Sequence, residues 1–382
     1  MDNNVKKNIQ LVQQESDKLY GEIVKTGYDE SLATIISSDM RSKGGYLFNK
    51  SHSFSYAVLC LQTAYLKAHY PVYFYKALLN LKKNDNGKLN KYITDALNNG
   101  ISVIPPQINK SEVDFIVDNN KILFGLSSIS GVGETSVLPI IDERNINGKY
   151  KSLDDLISRV PISDSQLVSL VKSGAIPCKS KRNLLIKYAQ QYKVNNKEFS
   201  PLTSVPSPLS RLQQYGIDTD VIKNKEERLR LYNVAKEKEY IQNQLIKNEK
   251  TVKDFEEKYM QDEEMWEFET LSIFLSYNPF KDVAQYLTSY EEANDNTETT
   301  IVGVIANSVV KKNKRKQQYA YVTLCTAYGL VEVACWAFIY SQYNEVIKKG
   351  NRIAVLCNKQ DEKYSVKELK SYNKWKMDRK IV

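Results

Sequence analysis

The sequence predicts a multidomain α+β protein that is helical over most of its length and ends in a small β-barrel. Two observations support this fold class. Apolar residues recur at helical spacing in the first part of the chain, whereas residues 299–370 alternate between apolar and polar side chains. The chain has 382 residues, which is too many for one small module, so we expect two to four domains.

Four helices are predicted in the first part of the chain. Apolar spacing from Val5 onward indicates two helices separated by a turn at Gly27. A third helix begins at about Ser53 and ends before Pro71. Because proline fits the first turn of a helix but cannot continue one, Pro71 begins a fourth helix that ends near Leu81.

The middle of the chain contains shorter elements and then a long charged segment. The stretch KILFGL, Lys121–Leu126, reads as a strand and leads into a glycine-rich turn. Short helices are expected at residues 153–160 and 167–171. Residues 224–262 form a very charged helical run with few apolar positions, which indicates a linker and an exposed helix.

Alternating segments near the carboxyl end indicate β-strands at residues 299–310, 317–328, 329–338 and 352–358. One helix, at about residues 339–348, is expected between the third and fourth of these strands. That order fits a five-stranded barrel of the OB type.

Composition excludes several classes of protein. Lys and Arg number 54 against 45 Asp and Glu, a formal net charge of +9, and a hydrophobic fraction of 42% is enough to form real cores, so a wholly disordered chain is excluded. The sequence contains no signal-peptide core, and no apolar stretch comes near the ~18 consecutive residues that a membrane span needs. We therefore expect a cytoplasmic protein without a membrane partner. Five cysteines without CxxC spacing and two histidines argue against a structural zinc site or a disulfide framework.

The most concentrated charge lies between the first two predicted barrel strands. OB folds commonly bind nucleic acid through this loop, so it is a candidate DNA-binding site. Tyr319 and Tyr321 follow on one face of the next strand, and with Trp336 they are candidates for stacking on bases. Core packing or simple exposure is the alternative for each aromatic residue. The cations of the loop are Lys311, Lys312, Lys314, Arg315 and Lys316.

Several motifs together resemble one family. The segment Gly44–Tyr75, GGYLFNKSHSFSYAVLCLQTAYLKAHYPVYFY, resembles the fingers of the bacterial replicative DNA polymerase III alpha subunit. Further motifs follow in that family's order: VIPPQINKSEVDF at Val103–Phe115, a first hairpin FGLSSISGVGE at Phe124–Glu134, and a second hairpin LVKSGAI at Leu170–Ile176. FETLSIFLSYNPF at Phe268–Phe280 is similar to the family's motif before its OB domain, although asparagine stands where histidine is usual.

This resemblance implies the C-terminal portion of such a subunit, with mostly helical fingers and a tandem helix-hairpin-helix followed by an OB-fold β-barrel. The implied domains are partial fingers at 1–100, a tandem helix-hairpin-helix for duplex or clamp binding at 101–198, a charged helical linker at 199–262, connecting helices at 263–298 and the OB-fold at 299–382.

The resemblance also implies a nucleotide-binding surface in the fingers. Asn49, Lys50, Ser51 and His52 precede or begin a helix, and by the resemblance they face the incoming dNTP and the nascent base pair. Free amides, the helix dipole and a lysine together favour an anion. The alternative is a helix cap with a solvated lysine.

Both hairpins are candidates for contact with duplex DNA. Gly131 and Gly133 permit a tight turn that brings amides against a phosphate, a contact that positions DNA without reading its sequence, although a simple interhelical turn has the same pattern. Beside Gly174 in the second hairpin, a group of cations supports a duplex-facing surface. Those cations are Lys172, Lys179, Lys181 and Arg182.

In this family an upstream palm domain carries three aspartates that hold the catalytic Mg²⁺ ions. The resemblance implies that this chain begins after the palm, so we expect no cofactor in this chain and no activity from it alone. A companion chain is expected to supply the palm and Mg²⁺, as in a split polymerase of a phage or a low-GC bacterium. Asp218 and Asp220 form a D-x-D pair, but they follow the fingers instead of preceding them.

The expected function is therefore to bind primer-template DNA, or its single-stranded template, together with dNTP during replication. The alternative is a stand-alone DNA-binding protein, built from polymerase modules, that regulates or competes with replication. The family also carries a short sliding-clamp-binding peptide, of which Gln242, Leu245 and Ile246 are a candidate form within the charged helical run.

Overall fold

A computed structural model describes residues 3–43, 50–208, 210–287, 289–290, 292–361 and 363–380. The chain divides into two compact units, Met1–Pro71 and Val72–Val382. Each unit has its own arrangement of secondary structure, and the candidate DNA-contacting hairpins and the barrel all belong to the second.

The first unit is helical. Its elements are α1 (Asn3–Lys25), α2 (Glu30–Lys43) and α3 (Lys50–His69). Helices α1 and α2 form a hairpin around Gly27, whose φ of +86° suits glycine. The Oγ atom of Ser16 donates a hydrogen bond to the Ser37 carbonyl at 2.8 Å, and Arg41 forms an ion pair with Asp17. The predicted division of this segment at Gly27 is confirmed, and polar contacts hold the two helices together.

Helix α4 (Pro71–Leu81) leads into the second unit, and α5 (Asn86–Asn98) follows it. A three-stranded sheet comes next, made of β1 (Val103–Ile104), β2 (Ile116–Asp118) and β3 (Lys121–Leu123) in the order β1-β3-β2. Tyr75 and Leu79 of α4 and Ile93 of α5 lie in one hydrophobic core with Phe115 and Phe124. Residues that the resemblance assigned to the partial fingers domain thus pack with the elements that follow them.

Four further helices complete this core. They are α6 (Glu134–Asn147), α7 (Leu153–Arg159), α8 (Asp164–Lys172) and α9 (Lys181–Tyr188), with a π-helical turn at Ala189–Lys193. Ser152 and Ser163 cap α7 and α8, because each side chain accepts a hydrogen bond from an amide three residues later. The predicted short helices in this region are confirmed.

The charged run contains a short helix, α10 (Ser210–Gln213), and a long one, α11 (Lys225–Tyr259). Most of α11 is exposed, as its composition predicts. Two aromatic residues fix it to the rest of the unit. Tyr232 packs against Leu212 in a small separate cluster, and Phe255 lies in the core of the helical region.

The segment before the barrel holds a 3₁₀ turn at Glu263–Met265 and the helices α12 (Trp266–Leu271) and α13 (Lys281–Ala284). Its side chains alternate between two cores. Trp266 and Leu271 pack into the helical core, whereas Phe268, Phe274 and Phe280 pack into a cluster against the outside of the barrel. This segment therefore forms a wall shared by the two halves of the second unit.

One carboxyl group is buried in that wall. Glu267 is 6% exposed and accepts hydrogen bonds from the Ser276 amide at 3.0 and 3.2 Å through its two oxygens. Burial raises the pKa of Glu267 above the ordinary carboxyl value, and the hydrogen bonds from Ser276 only partly oppose this effect.

The barrel is made of β4 (Glu298–Lys312), β5 (Gln318–Thr326), β6 (Leu330–Cys335), β7 (Arg352–Gln360) and β8 (Lys363–Ser371). Helix α14 (Ala337–Tyr343) lies between the third and fourth of these strands, and α15 (Tyr372–Asp378) follows the last. The strands close in the order β4-β5-β6-β8-β7, with β6 and β8 parallel. The predicted α+β fold class with a closed five-stranded barrel of the OB type is confirmed.

Among the described residues, no helix is both long enough and apolar enough to cross a membrane.

Candidate nucleic-acid interface

The first hairpin presents an exposed turn and the start of a helix. Gly131 has a φ of +83°, and a Cβ atom placed there would lie 2.9 Å from Ser169 Oγ, so both backbone conformation and packing require glycine. Helix α6 begins after Gly133, so the amides of Glu134 and Thr135 belong to the first turn, which has no intrahelical acceptors. This geometry suits a phosphate contact.

The negative charge of Glu134 opposes an anion at that turn, but a lysine lies beside it. Lys83 Nζ lies 3.5 Å from Glu134 and 2.6 Å from Asp114. The hydrogen bond to Asp114 is the main cause of the raised pKa of Lys83. The lysine therefore stays charged and offsets part of the negative charge at the start of α6.

The second hairpin uses its amides internally. The amides of Ser173, Gly174 and Ala175 donate to carbonyls of α8 at 2.9, 3.0 and 3.1 Å. Lys181 closes the turn, because its Nζ donates to the Lys172 carbonyl at 2.8 Å. Gly174 therefore lies at the end of helix α8, where its φ of +81° permits the turn. Because its amide already donates to a helix carbonyl, it is not open to a phosphate.

Three of the four predicted cations of this hairpin also have partners within the fold. Lys172 is 12% exposed and pairs with Glu269 at 2.7 Å, and Arg182 pairs with Glu263 at 3.4 Å. Lys181 makes the hairpin-closing contact. Lys179 is exposed, and no described residue pairs with it. Of the four cations of this second hairpin, Lys179 is thus the one that has no partner among the described residues.

The barrel hairpin places its cations in solvent. Lys311 pairs in register with Tyr319 across β4 and β5. At the tip, the Asn313 side chain accepts hydrogen bonds from the amides of Arg315 and Gln317 at 2.9 and 3.0 Å, and Lys316 adopts a φ of +62°. No carboxylate among the described residues forms an ion pair with the five cations, which are Lys311, Lys312, Lys314, Arg315 and Lys316.

Three aromatic residues gather at the base of that hairpin. The ring centroids of Tyr319 and Tyr321 are 5.8 Å apart, and that of Trp336 lies 5.5 Å from Tyr319 and 6.2 Å from Tyr321. Lys311 Nζ lies 4.8 Å from the centre of the Tyr321 ring, and the indole nitrogen of Trp336 donates to Ser365 Oγ at 3.1 Å. We call Tyr319, Tyr321 and Trp336 the aromatic trio. Trp336 is 48% exposed, so the trio presents a ring face to solvent beside the cations.

Sequence comparison identifies the family to which these features belong. A helix-hairpin-helix motif model matches residues 100–184, which include both hairpins. The DNA polymerase III subunit alpha of Aquifex aeolicus is 31% identical over 370 residues, 96% of this chain and 28% of that protein. The subunit alpha of Borreliella burgdorferi is 30% identical over 365 residues, 92% of this chain and 29% of that protein, and that of Thermus aquaticus is 40% identical over 174 residues, 45% of this chain and 14% of that protein.

The chain belongs to the DNA polymerase III alpha-subunit family. It corresponds to the C-terminal portion that the motifs indicated, and it spans less than a third of the length of these curated relatives.

Three of the four nucleotide-binding residues expected from the family's fingers, Lys50, Ser51 and His52, lie in the first turn of α3. Asn49 lies outside the described residues, and of Lys50 and Ser51 only the helical backbone is described. His52 is exposed, with its ring 4.4 Å from that of Tyr56. Their predicted contact with dNTP stays a prediction.

The candidate clamp-binding residues of this alpha-subunit homologue lie in the middle of α11. Gln242 is exposed, and Leu245 and Ile246 are 58% and 59% exposed. They are accessible to a partner, but they are presented on a helix. A peptide that binds in extended form would require this part of α11 to unwind.

The D-x-D pair has a local structural role. The carboxylate of Asp218 accepts hydrogen bonds from the amides of Asp220 and Val221 at 2.8 and 3.4 Å, which is an Asx turn. Within the described ranges, no three His, Cys, Asp or Glu side chains are grouped so as to hold a metal ion.

Sequence reasoning missed Ser365. It reaches the aromatic trio because β8 pairs in parallel with β6, which aligns Ser365 with Ala334. No local pattern signals this pairing, since it joins residues about thirty positions apart through the closure of the barrel.

Proposed function

We propose that this chain is the DNA-binding C-terminal part of a replicative polymerase of the DNA polymerase III alpha type, acting with a companion chain. It binds primer-template DNA and incoming dNTP in the cytoplasm of a bacterium or a phage-infected host. The companion supplies the palm and its Mg²⁺. The observation that carries this proposal is the match of nearly the whole chain to DNA polymerase III alpha subunits, with the exposed cations and aromatic trio of the barrel in place.

The two DNA-contacting surfaces have different roles in this proposal. The first hairpin offers backbone amides, which position duplex DNA without reading its sequence. The barrel combines phosphate-neutralising cations with ring faces, a combination typical of single-strand binding. The duplex is therefore held by the helical region and the template strand by the barrel.

The exposed apolar surface of the first unit supports a companion chain. In the hairpin of α1 and α2, Leu11 and Ile35 are 59% and 63% exposed, and in α3 Phe54 and Leu61 are both 71% exposed. Along α3, Phe54, Leu61 and Tyr65, which is 56% exposed, are spaced by seven and four residues and so share one helix face. A contiguous exposed apolar face of this kind marks an interaction site. The proposed occupant is the remainder of the polymerase, because the relatives are more than three times as long as their matched part.

Primer extension tests the proposal. The purified chain is assayed alone and with a candidate companion, identified as the product of a neighbouring gene that ends in an arginine-rich fingers sequence. We expect extension only in the mixture, because the Mg²⁺-binding carboxylates are expected on the companion. Extension by this chain alone would contradict the proposal. Duplex binding without any effect of a companion would favour the stand-alone regulator.

Matched substitutions make the companion test specific. Replacing Phe54 and Leu61 by serine should abolish stimulation by the companion while leaving DNA binding by the barrel unchanged, because both side chains are already exposed. Replacing Val221, which is 76% exposed but lies outside the first unit, is the control and should have no effect. A pull-down with the sliding clamp, comparing the native chain with a Leu245, Ile246 double substitution, tests the clamp as a further partner.

A further inference from the structure

The barrel face beside the aromatic trio is a groove with opposite charge at its two ends. Cross-strand pairs define rows along this face. Tyr319 and Lys311 form the row nearest the hairpin tip, Tyr321 pairs with Ala334 in the next, and Thr323 pairs with Glu332 in the third. The first and third rows are four residues apart, about 13 Å along the strands. The groove has a volume of about 900 Å³ and is lined by residues of all three rows.

The middle of the groove is open because its residues are small. Ala334 lies between Tyr321 on β5 and Ser365 on β8, with which it pairs in register on either side. Ser365 accepts a hydrogen bond from the indole nitrogen of Trp336, which fixes the orientation of that ring beside the groove. A flat floor of this kind beside fixed rings leaves room for a planar base.

Charge then decides how a strand lies in the groove. At one end the hairpin cations attract phosphates. At the other end the carboxylates of Glu332 and Asp361 outnumber one cation, Lys363, which lies next to Glu332 on β8. The exposed carboxylate of Glu332 forms no hydrogen bond or ion pair with any described residue, so this end disfavours a phosphate. The backbone of a bound strand therefore follows the hairpin, and a base occupies the end at Glu332.

We propose that Glu332 accepts a hydrogen bond from the exocyclic amino group of that base, so that the groove prefers cytosine to uracil or thymine. A carboxylate is the acceptor that suits the N4 amino group of cytosine, whereas uracil and thymine present the O4 acceptor at the same position. This inference rests on the proposed single-strand binding by the barrel. It adds to that function a base-discriminating residue in a surface otherwise built for contacts that are independent of sequence.

The test compares oligonucleotides that differ in this amino group. Fluorescence anisotropy of the full chain is measured with labelled dC and dU oligomers of about 12 nucleotides, a length suited to one OB fold. Mildly alkaline buffer keeps cytosine unprotonated. We expect dC to bind on the order of fivefold tighter than dU, the value of one good hydrogen bond.

Two variants test whether Glu332 is the residue responsible for the preference for cytosine. Glu332→Gln removes the charge and adds a donor, so it should abolish the preference by raising the affinity for dU. Asp361→Asn removes a charge from the same groove, at the turn between β7 and β8, and should keep the preference. Loss of the preference in Asp361→Asn, with its retention in Glu332→Gln, would overturn the assignment.

The outcomes separate this inference from the function on which it depends. Tight and equal binding of dC and dU by the native chain would overturn the inference and leave single-strand binding intact. No binding of either oligomer at about 50 mM salt would overturn both, because the hairpin cations would then make no phosphate contacts. A fivefold preference that disappears only in Glu332→Gln supports the inference.

Discussion

Removal of the barrel hairpin's charge should change how DNA binding depends on salt. The change replaces all five cations of the hairpin by alanine. Since no described carboxylate pairs with them, their charges are available to phosphates and the substitution leaves no carboxylate unpaired. The five positions are Lys311, Lys312, Lys314, Arg315 and Lys316.

The expected magnitude follows from counterion release. Each neutralised phosphate of a single strand contributes about 0.7 to the slope of log affinity against log salt concentration, so five contacts make a slope of about 3.5. Between about 50 and 200 mM salt the native chain should therefore lose roughly a hundredfold more affinity than the variant. At the lower salt concentration the variant should also bind more weakly.

The measurement is a salt titration of fluorescence anisotropy with a labelled single strand. The control removes the same charge elsewhere, by alanine at five exposed lysines of α11, and should leave the slope unchanged. Those lysines are Lys225, Lys238, Lys247, Lys250 and Lys253. Equal slopes for the native chain and the hairpin variant would refute the reasoning and remove this hairpin from the binding site.

Three further predictions concern single residues. Trp336→Ala should weaken single-strand binding by about 1–3 kcal/mol, the value of one stacked base, in the same anisotropy assay; unchanged affinity would exclude stacking there. Gly131→Ala should lower the free energy of unfolding in urea by roughly 1–2 kcal/mol because of its positive φ, with further loss from the contact with Ser169, whereas Gly133→Ala should be nearly neutral because its φ is −81° and its nearest neighbour is 3.9 Å away. Burial raises the pKa of Glu267 in the folded chain above its ordinary value of 4.5. At a pH between 4.5 and the raised pKa, the folded chain keeps a proton that the unfolded chain has lost, so the free energy of unfolding falls as pH rises. Glu267→Gln lacks this pH-dependent loss, so its stability relative to the native chain in urea unfolding should increase as pH rises above 4.5 and level off beyond the raised pKa. A pH-independent difference would contradict this.

Local patterns in the sequence predict those parts of the fold and site that depend on neighbouring residues. Tyr319 and Tyr321 share a face because they are two residues apart on one strand, and Gly27 divides two helices because of its conformation. The charge of the barrel hairpin also follows directly from its sequence.

Long-range pairing explains what the sequence did not predict. Lys172 looked available to DNA, but its partner Glu269 lies 97 positions later, and only the fold brings them together. Arg182 likewise pairs with Glu263. The fifth strand, Lys363–Ser371, closes the barrel and brings Ser365 to the aromatic trio, a contact that depends on the parallel pairing with β6.

The wall shared by the helical region and the barrel fixes the spacing between the first hairpin and the barrel, the two surfaces proposed to bind DNA. The carbonyl of Thr270 accepts a hydrogen bond from the Ser130 amide in the first hairpin at 2.8 Å, while Phe268 and Phe274 press against the barrel from the same short segment. In the proposed function, a duplex at the first hairpin and a template strand at the barrel would therefore be held at a fixed separation. Under this proposal, lengthening the segment by one residue should change the number of nucleotides between the two surfaces while leaving the residues of each surface unchanged.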